Sequence, residues 1–519
     1  MKVHYYLNLI AKKYPNKFAF ISNTKKITFL ELKQQVENLA FDLKSNGIKS
    51  KQKVGILSNN SIDYIIIELA CAIIDVVVVP ISPSMAKKDI IKQIKFTDVK
   101  YVFLWHAIYQ DLQKSLIRLD IKNNNITTIG KKIKNVSFLD ELVVNNKSLK
   151  KFNLKNNDGS NPFLIILTSG SSSNPKAIVF SQKTKLLRAF SAAEIYNIKS
   201  TDKLILSTPI KQSISQRFIH LSILIGCTTV VMENFSVNLW LDLVKKYKIT
   251  FSILVAPQIK NISKYLKTND SRLKTLKKLV SCCAELDNQT KNTIIRKKIC
   301  SDFYDTYGAT EVGTVTNINL SKLPLNRNTL GPPIKDVGIK ILDKNNKEIK
   351  EKNKKGLIAC KSKFTFSYYL KSDLKNKNIY NEYFKTGDIG YIDNAGMLHL
   401  TGREKEIIIV GGVNVFPEDI ERVLNSNSGI KKSAVIGLKD KRLGEGILAM
   451  IVLKNKKKFN LLEIKKYCIK NLSDYQQPHK FIILKKFPLA GGYGKISKHK
   501  LKLKYKNIDL SKNIRATFT

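Results

Sequence analysis

From residue 28 to residue 80 the apolar positions alternate between a helical and an extended period. Leu32, Val36, Leu39 and Leu43 recur at steps of three and four, which puts them on one face of a helix. Thr28 and Glu31 have capping-box spacing at its start, where hydroxyl and carboxylate answer backbone N–H groups that lack partners. Gly47 falls where a helix C-terminus needs a left-handed residue. A strand is predicted at 53–57, a helix over 63–74 and a second strand at 76–79. That second strand is apolar throughout, the pattern of a parallel strand covered on both faces.

The same alternation returns in the middle of the chain. Strands are predicted at 163–167, 203–206, 228–232 and 251–255, with Trp240, Leu243, Val244 and Tyr247 marking a helix face. Repeated strand–helix units predict an α/β protein with parallel-rich sheets flanked by helices. Residues 122–155 are rich in Lys and Asn and weakly periodic, so a surface connection is expected there. Near residue 400 the texture changes to a strand, a Gly-Gly turn, a short helix from Pro417, a strand at 434–438 and a Lys-rich tail. This predicts a large N-terminal domain, 1–401, and a small C-terminal α+β domain, 402–519.

Composition narrows the classes. The 519 residues carry 90 basic against 41 acidic side chains, a formal charge of +49. About 80 of the basic residues are Lys, and Lys rises together with Asn and Ile along the whole chain. Nucleic-acid surfaces favour the bidentate fork of Arg, so the charge reads as drift in coding composition and no nucleic-acid partner is expected. Seven cysteines without a CxxC pair and six scattered histidines form no metal-ligand spacing. A reduced, cytoplasmic location is expected, as residues 1–20 show no signal-peptide pattern. The most apolar run, 64–80, is interrupted by Glu68 and Asp75 and falls short of a transmembrane segment.

Four segments carry candidate chemistry. Thr168-Ser169-Gly170-Ser171-Ser172-Ser173-Asn174-Pro175-Lys176 follows a strand; its hydroxyls and backbone N–H groups can cradle an anion. It is not a Walker loop, because Pro175 replaces the second Gly and Ala177 the Ser or Thr. Taken alone it reads equally as a polar turn. Asp305-Thr306-Tyr307-Gly308-Ala309-Thr310-Glu311 offers a ring, a hydroxyl and a carboxylate suited to Mg²⁺, or else a tight turn with a surface Glu. Phe384-Lys385-Thr386-Gly387-Asp388 reads as a turn presenting a carboxylate of the kind that pairs with a ribose diol; Gly402-Arg403 follows it. Finally, Lys495 ends a Gly-rich loop, although any single Lys in this chain is more often a solvated one.

These segments, with Tyr14-Pro15-Asn16-Lys17-Phe18-Ala19 and Ile27-Thr28-Phe29-Leu30-Glu31-Leu32, resemble the adenylate-forming (AMP-binding) superfamily over essentially the whole length. That superfamily includes acyl-CoA synthetases, peptide-synthetase adenylation domains and firefly luciferase. The resemblance implies a fold of a large N-terminal domain and a small mobile C-terminal domain. It implies ATP, Mg²⁺ and CoA, or a carrier-protein phosphopantetheine, as reactants and cofactors. A carboxylate attacks the α-phosphate to give an acyl-adenylate and pyrophosphate, and a thiol then displaces AMP.

By the same resemblance Thr168, Ser169, Gly170, Ser171, Ser172 and Lys176 wrap the β- and γ-phosphates. Ala284, Glu285, Asp305, Tyr307 and Gly308 surround adenine; Thr310 meets the α-phosphate and Glu311 ligates Mg²⁺. Asp388 and Arg403 hold the ribose, and Lys495 bridges carboxylate and α-phosphate, where charge develops. Lys405 is the hinge. Gly411 and Gly412 serve the thiol tunnel, or else form only a hairpin turn. Gln212, Ser213, Cys282 and Cys283 fall in the acyl pocket.

The chain departs from the family at Ser173 and Ala177, where Gly is usual; positive φ at either would cost about 1–2 kcal/mol. It departs again at Cys282-Cys283, which replace a Gly pair. These departures keep a non-catalytic paralogue open. Ser213 stands where peptide-synthetase domains place an Asp for the substrate ammonium, which disfavours amino acids. The segment 411–421 has the CoA-ligase form. The expected activity is therefore acyl-CoA synthesis from a fatty or aryl acid, with loading of a separate acyl carrier protein as the alternative. Lys498, Lys500 and Lys502 are candidate contacts for the CoA phosphates.

Overall fold

A computed structural model describes residues 2–144, 158–168, 176–266, 268, 270–325, 329–371, 378–411, 413–440, 443–454, 460–490, 495–510 and 517–518. Within these, two eight-stranded sheets dominate the first 370 residues. Most of their interior strands pair in parallel: Lys53–Leu57 lies between Val77–Pro80 and Tyr101–Trp105 in one sheet, and Phe251–Val255 beside Lys278–Cys282 in the other, whereas Pro162–Thr168 and Lys176–Ser181 pair antiparallel. Three of the four edge strands described pair antiparallel, and the fourth, Ser137–Phe138, pairs in parallel. One apolar core joins both sheets to the helices Phe29–Ser45, Ile62–Ile73, Gln182–Ile195 and Gln216–Ile225.

Local sequence explains these helices. Thr28 and Glu31 form the capping box, and Leu32, Val36, Leu39 and Leu43 are all fully buried. Gly47 adopts φ +81 just past the helix end. In Ile62–Ile73, capped by Ser61, eleven of twelve positions are buried, including Glu68. An apolar surface on every side places that helix inside the molecule. Burial pushes the Glu68 carboxyl up to about 7, against the pull of Gln216 and Lys185.

Three expectations change. Residues 122–155 are not merely a surface connection: Ile126–Ile129 is a fully buried strand, followed by Ser137–Phe138 and the helix Leu139–Val144. Thr127 is the residue that hides it, because its hydroxyl is satisfied inside by Tyr101 at 2.6 Å. Asp388 does not sit on a turn. It lies within the strand Tyr383–Ile392, where Gly387 at φ +79 and a register break produce a bulge. The segment from Asp305 is likewise a strand, Asp302–Ala309, and only 310–312 turn.

Beyond residue 370 the chain completes a five-stranded sheet ending at Leu398–Arg403. After the short helical turn Glu404–Glu406 it enters a separate sheet at Ile408–Val410. That sheet carries its own apolar clusters under the helices Pro417–Ser426, Leu461–Asn471 and Lys498–Tyr505. The fold is thus a large α/β body followed by a smaller C-terminal domain.

Candidate active site

Two of the sequence segments meet although their strands lie in different sheets. Tyr307 is 8 % exposed, and its hydroxyl donates to Asp388 Oδ2 at 2.8 Å. Asp388 sits opposite Arg403 in its sheet, and Oδ1 pairs with Arg403 Nε at 3.1 Å. Thr386 Oγ1 accepts the Asp388 N–H at 3.1 Å, which fixes the bulge. A ring, a carboxylate and a guanidinium thus converge on one spot. Asp305 is buried deeper, ion-paired to Lys291 at 2.7 Å with both side chains almost inaccessible. Burial raises its carboxyl despite that partner. Lys291, a helix residue in a Lys-rich chain, has no sequence signal.

A second group forms around the turn that follows. Glu311 Oε1 accepts from the Tyr369 hydroxyl at 2.7 Å, and Lys176 Nζ stands 5.3 Å from the centre of the Tyr369 ring. Thr168 and Lys176 are cross-strand neighbours in an antiparallel pair, and they flank the anion-loop segment in sequence. Ser169, Gly170, Ser171, Ser172 and Ser173 lie outside the described residues, as does the Thr168 side chain. Ala177 lies in the extended strand Lys176–Ser181, and the expected strain at that position is absent.

Arg188, which the sequence reading missed, organises this turn. Its guanidinium donates to the carbonyls of Thr310 at 3.0 Å, Glu311 at 3.0 Å and Phe364 at 2.6 Å, and to Ser213 Oγ at 3.0 Å. Backbone carbonyls from two loops and the acyl-side Ser213 are therefore held by one planar fork. Its only legible cue is an Arg on the apolar-flanked helix Gln182–Ile195.

On the acyl side, Gln212 and Ser213 form the turn entering the helix Gln216–Ile225. Cys282 ends a strand, buried, with Cys283 Sγ 3.4 Å from its sulfur. Ala284 and Glu285 are exposed beyond them. Cys283 has φ +68, a conformation that suits Gly. Cys283→Gly is expected to raise stability by about 0.5–1 kcal/mol, the relief of strain less the added freedom of the unfolded chain. A higher urea midpoint at unchanged slope checks this; a lower midpoint contradicts it.

In the C-terminal domain Lys405 is exposed within the turn Glu404–Glu406. Gly411 follows Val410, which pairs with Val413, and has φ +54; Gly412 lies outside the described residues. Lys495 opens a short strand, Lys495–Ile496, and its side chain is not described. Lys498 is not available to a phosphate. It is buried among carboxylates, 2.9 Å from Glu406, 2.9 Å from Glu421 and 3.7 Å from Glu418.

Comparison with known proteins bears on this arrangement. The AMP-binding enzyme family matches residues 8–370, and the AMP-binding enzyme C-terminal domain matches 419–492. Among curated relatives, 4-coumarate–CoA ligase 3 of Arabidopsis thaliana is 24 % identical over 93 % of this chain and 87 % of its own length. A 2-succinylbenzoate–CoA ligase of Bacillus licheniformis is 24 % identical over 94 % of this chain and 97 % of its own. The fold is shared with ATP-bound MatB from Rhodopseudomonas palustris, at TM-score 0.87 and 20 % identity over 98 % of this chain and 99 % of that one. It is also shared with the Bacillus subtilis o-succinylbenzoate CoA synthetase in complex with its acyl-adenylate intermediate, at TM-score 0.83 and 20 % identity over 96 % and 97 %.

Proposed function

The chain belongs to the AMP-binding enzyme family, and on that premise we propose that it converts a fatty or aryl carboxylic acid to its CoA thioester through an acyl-adenylate. Adenylate-forming ligase chemistry is common ground for the family. The observation that supports acid adenylation is the joining of Tyr307, Asp388 and Arg403 in one cluster beside the Arg188-held turn that bears Thr310 and Glu311. These are the charged and aromatic groups a nucleotide and a reacting carboxylate require.

In this reading Tyr307 stacks on adenine, beside Gly308, Ala284 and Glu285. Asp388 accepts from the ribose hydroxyls, and Arg403 holds Asp388 in place. Residues 168–172 and Lys176 surround the outer phosphates. The carboxylate attacks the α-phosphorus, the bond to the bridging oxygen breaks, and pyrophosphate leaves. Thr310 and Lys495 hold the oxygens on which negative charge grows. Glu311 suits Mg²⁺: it offers one carboxylate, and no cluster of three His, Cys, Asp or Glu side chains that could hold a metal exists among the described residues. Glu311 would hold the ion, which would supply charge neutralisation for the leaving pyrophosphate.

In this reading the expected boundary at 401/402 shifts to the end of the strand Leu398–Arg403, which pairs with Tyr383–Ile392, and Lys405 is the hinge that moves Lys495 out and brings Gly411 and Gly412 toward the thiol. The relatives named for CoA ligation support CoA as acceptor over a carrier protein. A cytoplasmic location fits these reactants, and among the described residues no helix is long and apolar enough to cross a membrane.

Carboxylate-dependent exchange of labelled pyrophosphate into ATP tests the reading. Exchange with at least one acid, reduced about 100-fold or more in Glu311→Gln, is expected. ATP binding without exchange, across fatty, aryl and amino acids, would favour the non-catalytic paralogue.

A further inference from the structure

Three basic side chains are buried between the helices Gln182–Ile195 and Gln216–Ile225: Lys185, Arg188 and Arg217, each at most 7 % exposed. Two are answered by the protein. Arg188 spends its donors on three carbonyls and Ser213 Oγ. Lys185 Nζ lies 3.3 Å from the Ser213 carbonyl, and Glu68 opposes its charge.

Arg217 differs. Nη2 donates to Thr314 Oγ1 at 2.6 Å, and Nε is buried without an acceptor. Among the described residues nothing pairs with Nη1, and no carboxylate comes within ion-pair distance of the guanidinium. A guanidinium only 7 % exposed whose Nε is buried without an acceptor is costly. It needs an anion that the chain does not supply.

Its position says where that anion comes from. Arg217 follows Gln212 and Ser213 by one turn, and its charge acts on Cys282 at the end of the strand Lys278–Cys282. Thr314, its one acceptor, stands three residues beyond Glu311. Arg217 therefore lies in the wall shared by the residues assigned to the acyl pocket, and the buried Gln212 Oε1, also without a donor, belongs to the same wall.

We infer that Arg217 recognises a second anionic group on the acid, so that the substrate class is a dicarboxylic acid with an aliphatic or aryl body. One carboxylate is activated and the other docks on the Arg217 fork, whose two parallel donors match a carboxylate bidentately. This rests on the acid-activating function proposed above. A monocarboxylic acid of the same length places a methyl group against unanswered N–H donors, the less favourable pairing.

The test uses pyrophosphate exchange with matched acids, adipate against hexanoate and terephthalate against 4-methylbenzoate. Wild type, Arg217→Leu and Arg217→Lys are run side by side, and their thermal unfolding confirms folding. Wild type is expected to favour the dicarboxylate in at least one pair by tenfold or more in kcat/KM. Arg217→Leu should lower that ratio about 100-fold, mainly through KM, and Arg217→Lys should restore part of it. A wild-type preference for the monocarboxylic members overturns the inference while leaving acid activation standing. So does an Arg217→Leu variant that loses both members equally. No exchange with any acid, despite ATP binding, overturns acid activation itself and this inference with it. If Arg217→Leu does not fold, the wild-type ratios and Arg217→Lys decide.

Discussion

Arg188→Met is expected to lose about 3–5 kcal/mol of stability and to abolish pyrophosphate exchange even where the protein still folds. The reason is the number of groups one side chain serves. The carbonyls of Thr310 and Phe364 lose their Arg188 donor outright, while the Glu311 carbonyl keeps only the Phe366 N–H and Ser213 Oγ only Lys185. Met fills the space of the stem but leaves the Thr310 and Phe364 carbonyls without a protein donor. Without the fork, the turn bearing Thr310 and Glu311 is no longer tied to the helix Gln182–Ile195. Lys restores charge but not the planar geometry that spans two loops, so Arg188→Lys should recover little exchange. Urea denaturation and exchange on the same preparations check this. A variant with wild-type midpoint and rate would show that the turn is held by other contacts.

Lys498→Met is the second large effect. Lys498 joins the turn Glu404–Glu406, the helix Pro417–Ser426 and the start of the helix Lys498–Tyr505 through Glu406, Glu421 and Glu418. Its removal leaves three half-buried carboxylates facing one another, and about 3–5 kcal/mol is expected to be lost from the C-terminal domain. The loss should depend on pH. Burial raises Glu418 to about 7, so in wild type its share of stability is full below the unfolded carboxylate value and fades as pH rises through about 7. Glu406 is lowered, so its share is present above its unfolded value and fades as pH falls. Without the ammonium, all three carboxylates are harder to ionise, and Lys498→Met should be more destabilised at pH 8 than at pH 6. Glu418→Gln should flatten the wild-type decline between those values. The Glu68 carboxyl, also near 7, adds a decline of the same sign, and it should persist in Glu418→Gln. Equal destabilisation by Lys498→Met at both pH values would contradict this account of the cluster.

The features legible in the sequence were those with local causes. The capping box at Thr28 and Glu31 involves residues three apart, and the buried face of its helix follows from period alone. The candidate nucleotide residues were legible as segments, but not their contacts: Tyr307 and Asp388 are 81 positions apart and meet between strands of two different sheets. Arg188 and Tyr369 left no trace because their partners are backbone carbonyls and a distant carboxylate. Lys291 and Lys498 were concealed by the abundance of Lys, which made a buried, paired lysine look like any solvated one. Glu68 interrupts an apolar run and was informative only against a membrane span, although its carboxyl is fully buried. The bulge at Gly387 looked like a turn because Gly and Thr serve both. The strand Ile126–Ile129 was missed because its two threonines read as polar, while the structure satisfies Thr127 internally.

The central claim is that a carboxylate oxygen attacks the α-phosphorus of ATP. It is tested most directly by supplying an accepted acid with both carboxylate oxygens labelled as ¹⁸O, together with ATP and CoA, and weighing the nucleotide products. Attack at the α-phosphorus followed by thiol displacement leaves one ¹⁸O in AMP and none in pyrophosphate. Label in inorganic phosphate, with ADP as the nucleotide product, would show that the acid is activated at the γ-phosphorus and would contradict the account.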